Sequence, residues 1–206
     1  MNEENILRTK INIAEKRMRD LNSSGDIKKL QEPEANKIAQ FYIEKSMTRL
    51  ETAKLIKKLS SGKERIEFVS KKYSDYGECV SAAYYAMYYI VHAYLAKVYK
   101  TRLREDVRGV HAITTQIILY YLVKTERLAR HLYEEYQKTL GTVAKIQNFN
   151  LEDFQSEAYK IVEKYDRSRD ARETFTYKVT KNAEEHYAQQ TIETAEEFIN
   201  TIKILM

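Results

Sequence analysis

The sequence predicts an all-α protein, on three observations. One proline and five glycines are spread over 206 residues, too few for the turns a sheet protein needs. Apolar residues recur at three- and four-residue steps through long segments. One stretch, Val80 to Val98, is apolar or aromatic almost all round, as a helix enclosed by other helices must be.

The elements follow in order. Glu3 to about Leu21 reads as a charged helix, ended by Asn22-Ser23-Ser24-Gly25-Asp26. Pro33 fits the first turn of the next helix, where its missing N–H has no partner to lose. That helix runs to about Leu59, with Ile43, Met47, Leu50, Ala53 and Ile56 as its buried stripe, and Ser60-Ser61-Gly62 stops it. Lys63 to Lys72 is a short charged helix or linker. Ser74 then caps a central helix from Asp75 to about Tyr99. Thr101 to Gly109 is a basic connector carrying Arg102, Arg104 and Arg108. Val110 to Val123 and Glu126 to about Ile146 form two helices or one kinked one. Asn148-Phe149-Asn150 breaks the chain before a helix from Leu151 to about Thr176. Asn182 and Glu185 have capping-box spacing, ahead of the apolar stripe Ile192, Ala195, Phe198, Ile199 and Ile202. The simplest organisation is a helical arm over residues 1–33 and one bundle over 34–206, a size that buries roughly 70% of the unfolded surface without staples.

Composition bounds the chemistry. Cys79 is the only cysteine, so an intrachain disulfide is ruled out and a reducing compartment, the cytoplasm, is the expected setting. Met1-Asn2-Glu3-Glu4-Asn5 is unlike the start of a signal peptide. Val80 to Ala96 is short of the ~20 residues of a membrane helix, and Ser81, His92 and several tyrosines interrupt it. The formal charge of +5 permits a polyanionic partner without demanding one. Glycine-rich phosphate loops and a hydrolase elbow are absent from the sequence. No Glu-x-x-His occurs, which argues against a ferritin-like metal pair, so neither metal nor cofactor is expected.

Tyr76-Gly77-Glu78-Cys79-Val80-Ser81-Ala82-Ala83-Tyr84-Tyr85-Ala86-Met87-Tyr88-Tyr89 resembles the signature helix of HEPN domains (higher eukaryotes and prokaryotes nucleotide-binding), in the small prokaryotic branch with an Ala-Tyr-Tyr-Ala-Met core. His111 after the basic connector is similar to the family's Lys-x-His. Arg172-Glu173-Thr174-Phe175-Thr176-Tyr177 is similar to its Arg-x-x-Ala-Asp-Tyr, with Phe175-Thr176 in place of Ala-Asp. Glu184-Glu185 and Ala195-Glu196-Glu197-Phe198-Ile199 are similar to its last helix. The resemblance runs from about Ala35 to the C-terminal end. It implies an up-and-down antiparallel helical bundle, usually dimeric, with an extra N-terminal helix and an inserted helical segment between Val123 and Arg172.

The resemblance also implies RNA or nucleotide as ligand, in a homodimer. The activity it implies is that of a metal-independent endoribonuclease of toxin or defence type. A catalytically silent module partnering a small nucleotidyltransferase subunit is the alternative. Active members carry an arginine and, after four to six intervening residues, a histidine, because cleavage by the 2′-hydroxyl needs a proton mover near neutral pH and a fixed cation on the phosphate. After Arg172 this chain offers Tyr177, a phosphate donor rather than a base. The literal spacing occurs at Arg104 and His111. Candidate residues are therefore Arg172, His111 and Tyr177 for catalysis, with Arg104 and Arg108 for nucleic-acid contact. Each also has a plainer reading. Arg172, Arg104 and Arg108 suit surface or salt-bridged arginines, His111 a locally bonded helix-start residue, and Tyr177 packing. Tyr84, Tyr85, Tyr88 and Tyr89 read first as core and dimer packing, His92 as a buried bonded histidine, and His131 and His186 as surface.

Overall fold

The computed structural model describes residues 3–62, 73–132, 151–177 and 183–206. The all-α class is as expected: α1 (Glu3–Ser23), α2 (Glu32–Ser60), α3 (Tyr76–Tyr99), α4 (Val110–Ile118), α5 (Leu151–Tyr177) and α6 (Glu185–Ile204) carry the chain. A π-helical turn, Leu119–Lys124, continues α4, and residues 127–132 are again helical after Glu126 takes a positive φ of 60°. The short helix or linker read over Lys63 to Lys72, and the helix read as far as Ile146, fall partly or wholly outside the described residues.

One pairing was not foreseen. β1 (Ile27–Lys29) and β2 (Thr101–Leu103) form a two-stranded sheet. Three-residue strands are too short to show a two-residue alternation, and the connector's arginines masked the second of them.

The chain divides into two compact units: Met1–Lys28 with Leu103–Glu163, and Lys29–Arg102 with Lys164–Ile204. In the first, α1 buries Leu7, Ala14, Met18 and Leu21, a stripe at helical spacing, and packs on α4 and the π turn. Those contribute Ile113, Ile117, Ile118, Leu119 and Leu122. Lys124 pairs with Glu15 at 2.6 Å, and Lys10 donates to the hydroxyl of Tyr159.

The second unit is an up-and-down arrangement of α2, α3, α6 and the part of α5 from Lys164 on. Its register is fixed by bonds between helices. Along α2 and α3, Asp75 N–H donates to Ser60 Oγ, Cys79 Sγ–H to the Ala53 carbonyl, Ser46 Oγ–H to the Ala86 carbonyl and Lys97 to Asn36. Numbers that fall on one helix while rising on the other mean an antiparallel pair. Lys57 with Gln189, Lys54 with Glu196 and Lys203 with Met47 set α6 antiparallel to α2 in the same way.

The α2 stripe read from sequence is partly corrected. Leu50 and Ala53 are buried, but Ile43, Met47 and Ile56 are half-buried, and the line against α3 is Ala35, Ala39, Ser46, Leu50 and Ala53. Small residues win there because α3 approaches closely, offering Ala82, Ala83, Ala86, Ala93 and Ala96 with no exposed surface. Ser46 is tolerated because its hydroxyl is bonded at 2.7 Å. The α6 stripe, Ile192, Ala195, Phe198, Ile199 and Ile202, is buried throughout.

Two caps differ from expectation. Asp75, not Ser74, caps α3, its Oδ1 accepting the Glu78 N–H at 2.9 Å. A carboxylate there both satisfies an orphan donor and opposes the positive end of the helix dipole. Asn182 lies outside the described residues, and α6 opens at Glu185 with the Glu184 carbonyl accepting from Ala188, so Glu185 is the first helical residue rather than the third. Gly77 has a packing reason for lacking a side chain: a Cβ there would sit 3.3 Å from the Phe175 carbonyl oxygen of α5.

The α3 cap gives a direct test. Asp75→Ala is expected to cost about 1 kcal/mol and lower the melting temperature by roughly 2–4 °C. Ser74→Ala leaves it unchanged. Equal losses from the two in thermal melts would return the cap to Ser74.

Candidate functional site

α3 sorts its tyrosines by position. Tyr84 is wholly buried, whereas Tyr85, Tyr88 and Tyr89 are half-buried. Successive residues on a helix point ~100° apart, so neighbours in the sequence serve different surroundings. Tyr84 meets Tyr165 of α5, their hydroxyl oxygens 3.1 Å apart, and Tyr165 in turn stacks on Phe198 of α6. Burial pushes the Tyr84 phenol up to about 12, although the bond to Tyr165 and the Arg169 and Arg172 charges pull the other way. Burial likewise holds Tyr88 and Tyr165 above the ordinary phenol range. All three are neutral packing groups at neutral pH.

Arg172 belongs to this cluster. It is buried, 8% exposed, so the surface reading of it is corrected. Its Nη2 donates to the Tyr85 hydroxyl at 2.8 Å, and its guanidinium lies 5.1 Å from the Tyr85 ring centre and 6.0 Å from that of Tyr84. Arg169, one turn earlier on α5, is paired with Asp166 and Asp170, each at 3.0 Å. A tyrosine hydroxyl that accepts from a guanidinium becomes a better donor of its own proton. The Tyr85–Arg172 pair is thus a fixed cation behind a polarised hydroxyl, an arrangement suited to a phosphate oxygen.

Tyr85 also meets α2. Arg49 lies over its ring at 5.9 Å, and Tyr85, Tyr89 and Tyr42 follow in a row at 6.2 and 6.0 Å, with ring planes within 29° and 22°. Lys45 lies over both Tyr89 and Phe41. None of the four α2 residues was singled out from the sequence. The signal was present as Phe41, Lys45 and Arg49 at four-residue steps, and it has the same form as an ordinary solvated flank.

The remaining candidates fall elsewhere. Arg104 and His111 belong to the first unit, as does the exposed Arg108. Arg104 donates from Nε to Asp106 at 2.9 Å and lies 3.8 Å from Asp26, so its charge is already engaged by carboxylates. His111 is half-buried in the first turn of α4, just after Gly109, whose φ of 73° starts the helix. Arg172 belongs to the second unit, where the described histidines are His92 and His186. His92 is buried with its ring 4.4 Å from that of Tyr88, and His186 is exposed beside Glu184 at 3.3 Å. His131 is half-buried rather than fully on the surface. Tyr177 ends α5, and its side chain lies outside the described residues.

Cys79 is buried, and loss of solvation raises its thiol to about 12, which disfavours the reactive thiolate. Among the described residues no three His, Cys, Asp or Glu side chains gather as a metal site requires, and no helix is long and apolar enough to cross a membrane. No family model matches the chain, and no curated protein or solved structure matches it either.

Proposed function

We propose that this chain is an RNA- or nucleotide-binding protein of the HEPN-like kind, with the Tyr85–Arg172 pair at its phosphate-recognition centre. The observation that carries the reading is the single 2.8 Å bond between the two. It fixes a buried guanidinium behind a hydroxyl on the family-like helix, and a charge-assisted donor of that kind discriminates strongly for anions. A homodimer in the cytoplasm belongs to the same reading, as does metal-independent endoribonuclease activity of toxin or defence type. His111 for proton transfer and Arg104 and Arg108 for phosphate contact rest on the sequence alone and belong to the other unit, where Arg104 is engaged by Asp26 and Asp106; Tyr177 orients the phosphate or Arg172.

The second reading is a catalytically silent module that docks a small nucleotidyltransferase subunit. The low exposure of Arg172 favours it, since a packing role alone accounts for a buried guanidinium on two tyrosine rings.

Labelled single-stranded RNA, incubated with and without EDTA, separates the two. Tyr85→Phe keeps the ring and removes the hydroxyl. It is expected to weaken binding by roughly 10-fold or more, the scale of one hydrogen bond to a charged group, and to lower the melting temperature by several degrees because the buried Arg172 loses this partner, so binding is compared well below both melts. His111→Ala is expected to abolish EDTA-resistant cleavage and leave binding in place. Binding without cleavage by the parent protein would move the assignment to the silent module. A parent protein that binds neither RNA nor nucleotide refutes the leading reading.

A further inference from the structure

The row of rings between α2 and α3 has a property that packing does not require. Phe41 is 52% exposed at its end, next to the half-buried Tyr42, with the two ring centres 5.4 Å apart. One exposed apolar side chain on a surface is ordinary, but here it continues a contiguous aromatic strip through Tyr42, Tyr89 and Tyr85. Phe41, Lys45 and Arg49 succeed one another at four-residue steps along the same helix and share a flank. Glu44 is bonded to Gln40 and Glu51 to Lys54. Among the described residues neither Lys45 nor Arg49 forms an ion pair; each lies over aromatic rings, at 5.2 to 6.0 Å. The strip is therefore cationic as well as aromatic, and its exposed end turns, the Phe41 plane lying 64° from that of Tyr42.

We infer that this strip is a stacking platform for unpaired nucleotides. Phe41, the exposed ring, takes a base, with Tyr42, Tyr89 and Tyr85 packed in a row behind it, and Lys45 and Arg49 meet the phosphates beside it. The inference rests on the RNA-binding reading and deepens it, fixing the ligand as single-stranded. Bases in a duplex already stack on one another and cannot lie on a protein ring, whereas unpaired bases of any sequence can. Charge complementarity favours nucleic acid over a second copy of this chain, because two copies meeting through this strip would bring Lys45 and Arg49 against their own kind.

Fluorescence anisotropy with three labelled ligands tests it: a short single-stranded RNA, the same strand in a duplex, and an abasic strand of equal length. The probe proteins are the parent, Phe41→Ala and Lys45→Ala, both at exposed positions where folding is not at stake. Phe41→Ala is expected to weaken single-strand binding roughly tenfold and to leave abasic binding unchanged. Lys45→Ala is expected to weaken both ligands by a similar factor and to reduce the salt dependence. Single strand and duplex bound equally, with no effect of Phe41→Ala, would overturn the platform while leaving the RNA-binding reading intact. Absence of binding to every RNA overturns that reading and this inference together. If Phe41→Ala converts a dimer to a monomer in sedimentation and RNA affinity is unchanged, the strip belongs to a second copy and the inference fails.

Discussion

Tyr165→Ala is expected to destabilise the protein by about 3–5 kcal/mol, a large share of the roughly 5–15 kcal/mol that holds a domain together. Tyr165 has no exposed surface and sits where three helices meet, bonded to Tyr84 of α3 and stacked on Phe198 of α6 at 5.6 Å. Truncation loses the transfer free energy of the ring and leaves a cavity that the neighbouring rings cannot fill, since both are fixed by their own contacts. It also leaves the Tyr84 hydroxyl without this partner. Tyr165→Phe separates the two effects: it keeps the ring, removes the bond, and should cost about 1–3 kcal/mol. Urea unfolding measures both. A midpoint for Tyr165→Ala within error of Tyr165→Phe would mean that the site collapses freely and that the ring's packing contributes little.

The same tyrosines show what the sequence could and could not disclose. An almost unbroken run of apolar and aromatic residues from Val80 to Val98 was enough to place α3 inside the bundle, because no other arrangement hides a helix on every side. It was not enough to say which of Tyr84 and Tyr85 is the core residue. That depends on where α5 crosses, and the crossing is set by the approach of Phe175 to Gly77 and by Tyr165. Arg172 was legible as a candidate through its resemblance, yet its burial and its tyrosine partner are facts of tertiary register. Lys45 and Arg49 were invisible for the opposite reason. Exposed cations at helical spacing occur on most helices, and only the antiparallel register of α2 against α3 puts these two over rings. The displaced α2 stripe has a similar origin: hydrophobicity ranks Ile43 and Met47 above Ala39 and Ser46, whereas close helix packing selects by size.

Alkali should unfold this protein through the same cluster. Tyr84 is held up to about 12 by burial, with Tyr88 and Tyr165 raised for the same reason, whereas in the unfolded chain each ionises near its ordinary value of 10.0. Below pH 10 both states keep these protons, and the stability they support is fully present. Above it the unfolded chain releases protons that the folded protein retains, so stability falls with rising pH and goes on falling until the folded-state value is passed. For Tyr84 that window is pH 10 to about 12. At about 1.4 kcal/mol for each pH unit across that window, its contribution is on the order of 3 kcal/mol, and the other two act in the same direction. Thermal melts are therefore expected to decline from about pH 9, where the unfolded chain releases the Cys79 proton that the folded protein keeps, and to drop more steeply above pH 10, with the tyrosinate absorbance of these residues appearing together with the loss of helix. Tyr84→Phe removes one titrating group without removing its ring, so its curve should start lower, for the lost bond, but decline less steeply. A parent melting temperature that stays level to pH 12, or a Tyr84→Phe slope identical to the parent's, would place the buried phenols outside the alkaline transition. The half-buried Tyr85 and Tyr89 rest on the same helix as this core. The strip they form should keep its geometry, and any RNA affinity that depends on it, up to the onset of that drop.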